Sequence, residues 1–273
     1  MINRSSLLVL AVAVSACSAD ARLDTAPPEN PPPATVQLKD VVASNLPSPF
    51  YHFEYDGLGR ITTASYASSL FVYELAYAAG RLSEMRNNIL VNHDRLVYTY
   101  DNAGRVGAVR YVDWNGVTYT LVVFAYDGQR LTGLERDRRV DGGFIIDKEM
   151  SFSYYADGNL LELTEHRPAI AGVQDEATFV DRFEQYDTGI NVDGFELIHS
   201  DFFDHLVLLP GVQLQKSNPR RQTRTGDGIN FTVDFSYVYD GRNRPLTKAG
   251  DVTILNGPNS GQRVQISSVF SYY

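Results

Sequence analysis

A chain of 273 residues, 44% hydrophobic and 12% aromatic, can bury the core of one or two domains and is not a disordered polymer. Its formal charge of −9 argues against a nucleic-acid partner, because phosphate binding draws on clustered Lys and Arg. The sole cysteine, Cys17, excludes an intramolecular disulfide and a thiolate metal site.

Arg4, the apolar run 7–14 and the sequence Val14-Ser15-Ala16-Cys17 predict a lipoprotein signal peptide over residues 1–16. The run is shorter than the ~20 apolar residues of a spanning helix. Small residues before Cys17 open the backbone to a peptidase, and the thiol accepts a diacylglyceryl group. Acyl chains contributing about 0.8 kcal/mol per buried CH₂ then hold the protein on a membrane. Ser18 follows the cysteine in place of an aspartate, so the outer membrane is the expected address in a host that has one. Residues 17–35 carry Pro27, Pro28, Pro31, Pro32 and Pro33 and read as a semi-rigid tether at ~3.1 Å per residue. A single β domain is expected over 36–273.

That domain repeats one phrase, an aromatic, an acid or small residue, a glycine, an arginine and an aliphatic. The copies are Tyr55-Asp56-Gly57-Leu58-Gly59-Arg60-Ile61, Tyr77-Ala78-Ala79-Gly80-Arg81-Leu82, Tyr100-Asp101-Asn102-Ala103-Gly104-Arg105-Val106 and Tyr126-Asp127-Gly128-Gln129-Arg130-Leu131. Tyr155-Ala156-Asp157-Gly158-Asn159-Leu160 and Tyr239-Asp240-Gly241-Arg242-Asn243-Arg244-Pro245-Leu246 follow, and Tyr186-Asp187-Thr188-Gly189 is a decayed copy. Each predicts a tight turn between antiparallel strands: the Asp carboxylate accepts a backbone N–H two residues on, and the glycine takes positive φ. Ile61 with Ala64, Leu82 with Met85, Val106 with Val109, Leu131 with Leu134, Leu160 with Leu163, and Leu246 with Ala249 recur three apart. Three is an odd offset for a strand, so a bulge or strong twist is expected in each copy.

The phrase Tyr-Asp-x-x-Gly-Arg-Leu/Ile resembles the YD repeat of bacterial Rhs-type proteins, over residues 50–165 and again over 230–273. With the leader, the chain is similar to small YD-repeat envelope lipoproteins whose function is unassigned. The resemblance implies β-hairpins coiling into one continuous sheet. Residues 187–228 depart from it, and nothing resembles the toxin or protease segments of the large Rhs proteins.

Between the turns, Tyr51, Phe53 and Tyr55 share a face, as do Phe71, Tyr73, Leu75 and Tyr77, and Leu96, Tyr98 and Tyr100. Trp114-Asn115-Gly116-Val117 predicts a two-residue type I′ hairpin. Leu121-Val122-Val123-Phe124 predicts a strand covered on both faces. Asp141-Gly142-Gly143 turns the chain into a strand with Phe144, Ile146, Met150, Phe152 and Tyr154 in register. Over 194–209 the spacing of Phe195, Ile198, Phe202, Leu206 and Leu209 predicts a short amphipathic helix, with Asp193 as N-cap and Pro210 beyond its end. It would cap an open part of the sheet. Phe231 to Tyr239 and Val264 to Tyr272 alternate as strands, the second ending the chain.

The chemistry legible in the sequence is sparse. Asp56, Asp101, Asp127, Asp157 and Asp240 are explained by turn closure and lack the spacing of a calcium loop. Asp201 and His205 are four apart on the predicted helix and read as a surface ion pair. Arg220, Arg221 and Arg224 read as partners of neighbouring acids, and the aromatic stripes as core and cross-strand packing. No catalytic motif is present, and no cofactor or metal is implied. The expected fold is therefore all-β: one long curled antiparallel meander of roughly 12–16 strands, open or closed as a barrel, with a capping helix. The expected function is a non-catalytic, membrane-anchored envelope lipoprotein that binds or scaffolds, with an envelope protein or glycan as partner. Two alternatives stay open: a hydrolase acting on glycan or peptide, and a carrier of an apolar ligand in an aromatic-lined concave face.

Overall fold

Sixteen strands follow one another in chain order and each pairs antiparallel with the next: β1 Leu38–Ala43, β2 Tyr51–Tyr55, β3 Ile61–Tyr66, β4 Phe71–Ala78, β5 Arg81–Asn87, β6 Arg95–Tyr100, β7 Val106–Val112, β8 Thr118–Asp127, β9 Arg130–Val140, β10 Gly143–Tyr154, β11 Leu160–Arg167, β12 Ala177–Glu184, β13 Arg221–Gly226, β14 Phe231–Tyr239, β15 Pro245–Ile254 and β16 Arg263–Tyr272. β16 pairs with β1, Phe270 opposite Val41, and closes the barrel. The computed structural model describes residues 36–88, 93–199, 201 and 203–273, so Cys17 and the tether lie outside the described residues. Every rung of the closed ladder falls within Leu38–Tyr272, which makes the barrel a self-contained folding unit.

The repeat explains the turns. Asp56 Oδ1 accepts the N–H groups of Leu58 and Arg60 at 2.9 and 3.0 Å, while Oδ2 accepts Arg60 Nε at 2.8 Å. Gly59 then reverses the chain at φ +77°. Asp101 and Asp240 build the same loop on Arg105 and Arg244. In the last copy the left-handed residue is Asn243 at φ 64°, not Gly241, and the buried aliphatic is Pro245, with Leu246 left outside. The fifth copy starts one residue earlier than its spelling suggests: Tyr154 pairs with Leu160, and Tyr155 stands in the aspartate's place, its N–H donating to the Asn159 carbonyl. The second copy is shorter, a two-residue turn with Ala79 and Gly80 both left-handed, as type I′ requires. The turn expected to be type I′, Trp114–Val117, is instead the Asp-closed loop again, because Asp113 Oδ1 accepts the N–H groups of Asn115 and Val117.

The three-residue offset is a bulge in every copy. Thr62, Ser83, Gly107, Thr132, Leu161 and Leu246 are the extra residues, each where the register slips beside a repeat tyrosine. The slip turns both aliphatics inward, so Leu82 with Met85 and Leu131 with Leu134 are buried. Neighbouring copies are also tied together. Tyr77, Tyr100, Tyr126, Tyr154 and Tyr186 donate their hydroxyls to the carbonyls of Ile61, Leu82, Val106, Leu131 and Leu160, one hairpin back. Arg60, Arg81, Arg105 and Arg130 lie over the rings of Tyr77, Tyr100, Tyr126 and Tyr154, at 4.6–5.8 Å from the centroids. The decayed copy keeps its tyrosine in this belt.

Cross-strand rows show which way the wall faces. One row runs Glu54, Thr63, Glu74, Arg86, Arg95, and another Glu184, Arg221, Asp234, Asp251, Gln265. These alternate with Phe53, Ala64, Tyr73 and with Leu75, Met85, Leu96, Tyr111, which are buried or packed on the core. In these rows polar residues face out and apolar residues face the lumen. Val123 belongs to the outer rows at 39% exposure, so the 121–124 strand is covered on one face only. A bulge at Asp147 breaks the register expected for β10 and leaves Phe144 and Ile146 exposed.

The lumen is filled by the chain itself. The decayed repeat carries a long insertion between β12 and β13, and its described residues between 190 and 217 pack inside the barrel. Leu206, Val207, Leu208, Leu209 and Leu214 of this plug are buried in the same core as the wall aromatics. The expected helix shrinks to a 3-10 turn, Gly194–Ile198, and Asp193 makes no side-chain cap; Phe202 lies outside the described residues. Wall side chains satisfy the plug backbone in place of a helical ladder: Tyr66 donates to the Asp204 carbonyl at 2.7 Å.

Candidate functional site

The plug leaves an apolar cavity of about 490 Å³ at the rim carrying the repeat turns, and a charged cleft of about 700 Å³ toward the opposite rim. β9, β10 and β11 supply the cations of the cleft; the plug gives Asp201 and Asp204, and the wall gives Asp94, Asp147 and Glu165. Arg136 donates to Asp147 at 2.8 and 3.1 Å and to Asp204. Lys148 Nζ lies 2.6 Å from Asp201, and Arg167 bridges Asp201 and Glu165 at 2.8 and 2.5 Å. A strand of alternating residues puts Arg136, Lys148 and Arg167 on lumen-facing positions, where sequence alone gave no sign of partners 34–68 residues away.

His205 contacts Tyr73 at 2.7 Å, Tyr119 at 2.8 Å and Asp94 at 3.2 Å. Asp201 and His205 are therefore not a surface pair: each is inside the barrel with a different partner. His199 faces Tyr51 at 2.9 Å, and burial holds its pKa below the ordinary value, which keeps the ring neutral near pH 7. Converging carboxylates in a cleft could serve as acid and base. Here Asp147, Asp201 and Asp204 are each held by guanidinium or ammonium groups, the arrangement of a structural ion network. Arg220, Arg221 and Arg224 meet Asp187, Asp234 and Asp181 as expected.

Two carboxylates give the plug a pH signature. Burial pushes Asp201 up, but Lys148, Arg167 and Arg136 together outweigh it and the carboxyl sits at about 2. Its folded pKa is depressed, so its contribution is complete above about pH 5 and disappears as pH falls toward about 2, roughly 1–2 kcal/mol after solvent screening. Glu196 behaves oppositely: burial, then Asp193, raise its pKa against the pull of Lys248. The folded state keeps that proton, so stability declines as pH rises beyond the ordinary carboxylate range. Urea midpoints across pH 2–9 are expected to peak in the mildly acidic range, and Glu196→Gln is expected to flatten only the alkaline side. A profile unchanged by Glu196→Gln would remove it from this account.

The rim cavity is built differently. Leu38, Phe53, Leu75, Leu82, Leu208 and Leu209 form its floor and sides, and Tyr55, Tyr77, Tyr100, Arg60 and Arg81 its edge. Of the residues singled out in the sequence, Tyr55, Arg60, Gly80, Arg81, Tyr100 and Gly104 meet here. Asp56, Gly59, Asp101 and Arg105 close neighbouring turns, Tyr126, Asp127, Gly128 and Gly158 belong to turns further along the repeat, and Tyr239, Asp240 and Gly241 to the last one. Tyr239 donates to Asp187 of the decayed copy. Nothing in the sequence marks the plug leucines as a lining, because their spacing also fits a helix.

No protein-family model matches the chain, and no curated protein matches it. Solved structures do match. A porin-like protein from Bacteroides uniformis ATCC 8492 superposes with a TM-score of 0.56 at 12% identity, covering 87% of this chain and 95% of that one. A porin-like protein from Bacteroides vulgatus ATCC 8482 superposes with a TM-score of 0.57 at 13% identity, covering 87% of this chain and 99% of that one. At these identities the likeness is one of fold, and the chain shares the closed barrel architecture of these two proteins.

Proposed function

We propose that this chain is a non-catalytic envelope lipoprotein of YD-repeat type, held on a membrane through acyl groups on Cys17, whose water-facing barrel binds a partner at the rim of repeat turns. The observation that carries the reading is the polarity of outer rows such as Glu54, Thr63, Glu74, Arg86, Arg95 and Glu184, Arg221, Asp234, Asp251, Gln265, around a lumen that the chain's own plug occupies. A spanning barrel needs strands of about 9–11 residues and an apolar lipid-facing band. β1, β2, β3, β6 and β13 have 6, 5, 6, 6 and 6 residues, and their outward rows carry Glu, Arg, Thr and Asp. The envelope address also fits the porin-like neighbours. A carrier role receives support from the apolar rim cavity, whereas the paired state of the lumen carboxylates speaks against a hydrolase.

Membrane attachment should therefore reside in one atom. Wild type is expected in the membrane fraction, resistant to carbonate and released by detergent, while Cys17→Ala is expected in the soluble extracytoplasmic fraction. Retention of Cys17→Ala as an integral protein would mean that the barrel itself enters the bilayer, and the proposal would fall.

A further inference from the structure

The rim cavity has an uncompensated cation, and the repeat explains why. In the five-residue turns the arginine is clamped by its own aspartate, with Arg60, Arg105 and Arg244 at 2.7, 2.6 and 2.7 Å from Asp56, Asp101 and Asp240. The second copy has Ala78 and Ala79 where the acid would stand, and its loop is shorter. Among the described residues Arg81 has no carboxylate partner; its guanidinium lies over Tyr100 at 5.2 Å and passes the bare backbone of Gly104, 3.0 Å from where a Cβ would be. The two-residue turn lacks the clamp that the five-residue loops build, as the fourth copy also shows, where Arg130 stands opposite Asp127 without an ion pair among the described residues, and it leaves a positive charge at the lip of an apolar hollow.

We infer that this cavity binds a single-chain amphiphile with a carboxylate head, the chain lying on Phe53, Leu75 and Leu209 and the head on Arg81. This deepens the rim-binding reading above and rests on it. The volume of about 490 Å³ lies within the ~300–1,000 Å³ of small-molecule sites. The chemistry fits in two parts. Apolar walls take the hydrocarbon, since burying CH₂ groups is favourable by area. A guanidinium held over the Tyr100 ring then donates charge-assisted, two-pronged hydrogen bonds to a carboxylate. Arg60, on the same lip, is already neutralised by Asp56 and adds no anion preference.

The test uses the barrel of residues 36–273, which carries the entire ladder, and the displacement of dansyl-undecanoate fluorescence. Dodecanoate is expected to displace the probe at micromolar concentration, and dodecanol about tenfold less well. Arg81→Gln is expected to weaken dodecanoate about tenfold, the range of a charge-assisted hydrogen bond, and to leave dodecanol unchanged. Equal displacement by the acid and the alcohol, insensitive to Arg81→Gln, would overturn the carboxylate head while leaving an apolar rim site. No displacement by either would overturn the rim site itself, and binding of phosphatidylglycerol vesicles in preference to dodecanoate would replace the single-chain ligand by a membrane surface.

Discussion

Arg136→Ala is expected to destabilise the barrel by about 3–5 kcal/mol, the cost of breaking a buried ion pair from one side. Arg136 is 9% exposed and Asp147 1%. Without the guanidinium, Asp147 keeps only Arg138 at 2.9 Å, from a side chain that is itself 46% exposed, and Asp204 loses its cation. A buried carboxylate without a partner must either pay its desolvation or take up a proton. Arg136→Lys should fall between, because one ammonium cannot reproduce a fork that serves two aspartates. Urea unfolding at pH 7 measures both. A loss below about 1 kcal/mol for the alanine variant would mean that the lumen is wet enough to solvate these charges, as an exposed pair would be.

Leu206→Ala comes next, with an expected loss of about 2–5 kcal/mol, as for a large-to-small change in a closed core. Leu206 is 0% exposed although it lies outside any helix or strand, in an insertion whose regular element among the described residues is the 3-10 turn Gly194–Ile198. A loop draped over a barrel end would tolerate the change within about 0.5 kcal/mol, as surface positions do. The outer-wall control is Val123→Ala, at 39% exposure, which is expected to be nearly neutral. Comparable effects at the two sites would contradict the assignment of the plug to the core.

The two variants probe what the sequence concealed most. Turn chemistry is local, so Asp-x-x-Gly-Arg announced a chain of hairpins, and the offset of three between Leu82 and Met85 announced the bulge that turns both inward. Even the decayed copy at Tyr186 was visible, since its hydroxyl still reaches the Leu160 carbonyl at 2.7 Å. Errors of one residue arose where the signal was a residue type rather than a conformation. Asn243 tolerates positive φ and displaced Gly241, and Asp113 made a five-residue loop of what Asn115-Gly116 alone would make shorter.

The plug escaped for a different reason. Apolar spacing over 194–209 matches a helix when the only alternative considered is solvent on the other side. Inside a barrel the wall surrounds the segment: Tyr66 bonds a plug carbonyl, Tyr51 and Tyr73 bond its histidines, and Arg136 and Lys148 bond its aspartates. Those contacts join residues up to 148 positions apart, and no local pattern encodes them. Arg81 was legible only as a member of the repeat. Its loss of a partner became meaningful once the cavity beside it was known.

In the proposed lipoprotein the outer wall meets water and the chain's own plug occupies the lumen. Flotation of the purified barrel, residues 36–273, with phospholipid vesicles in detergent-free buffer tests it most directly, with circular dichroism on the same sample. The account predicts a folded, monodisperse β protein that stays at the bottom of the gradient. A barrel that needs detergent to remain in solution and floats with the vesicles would contradict it.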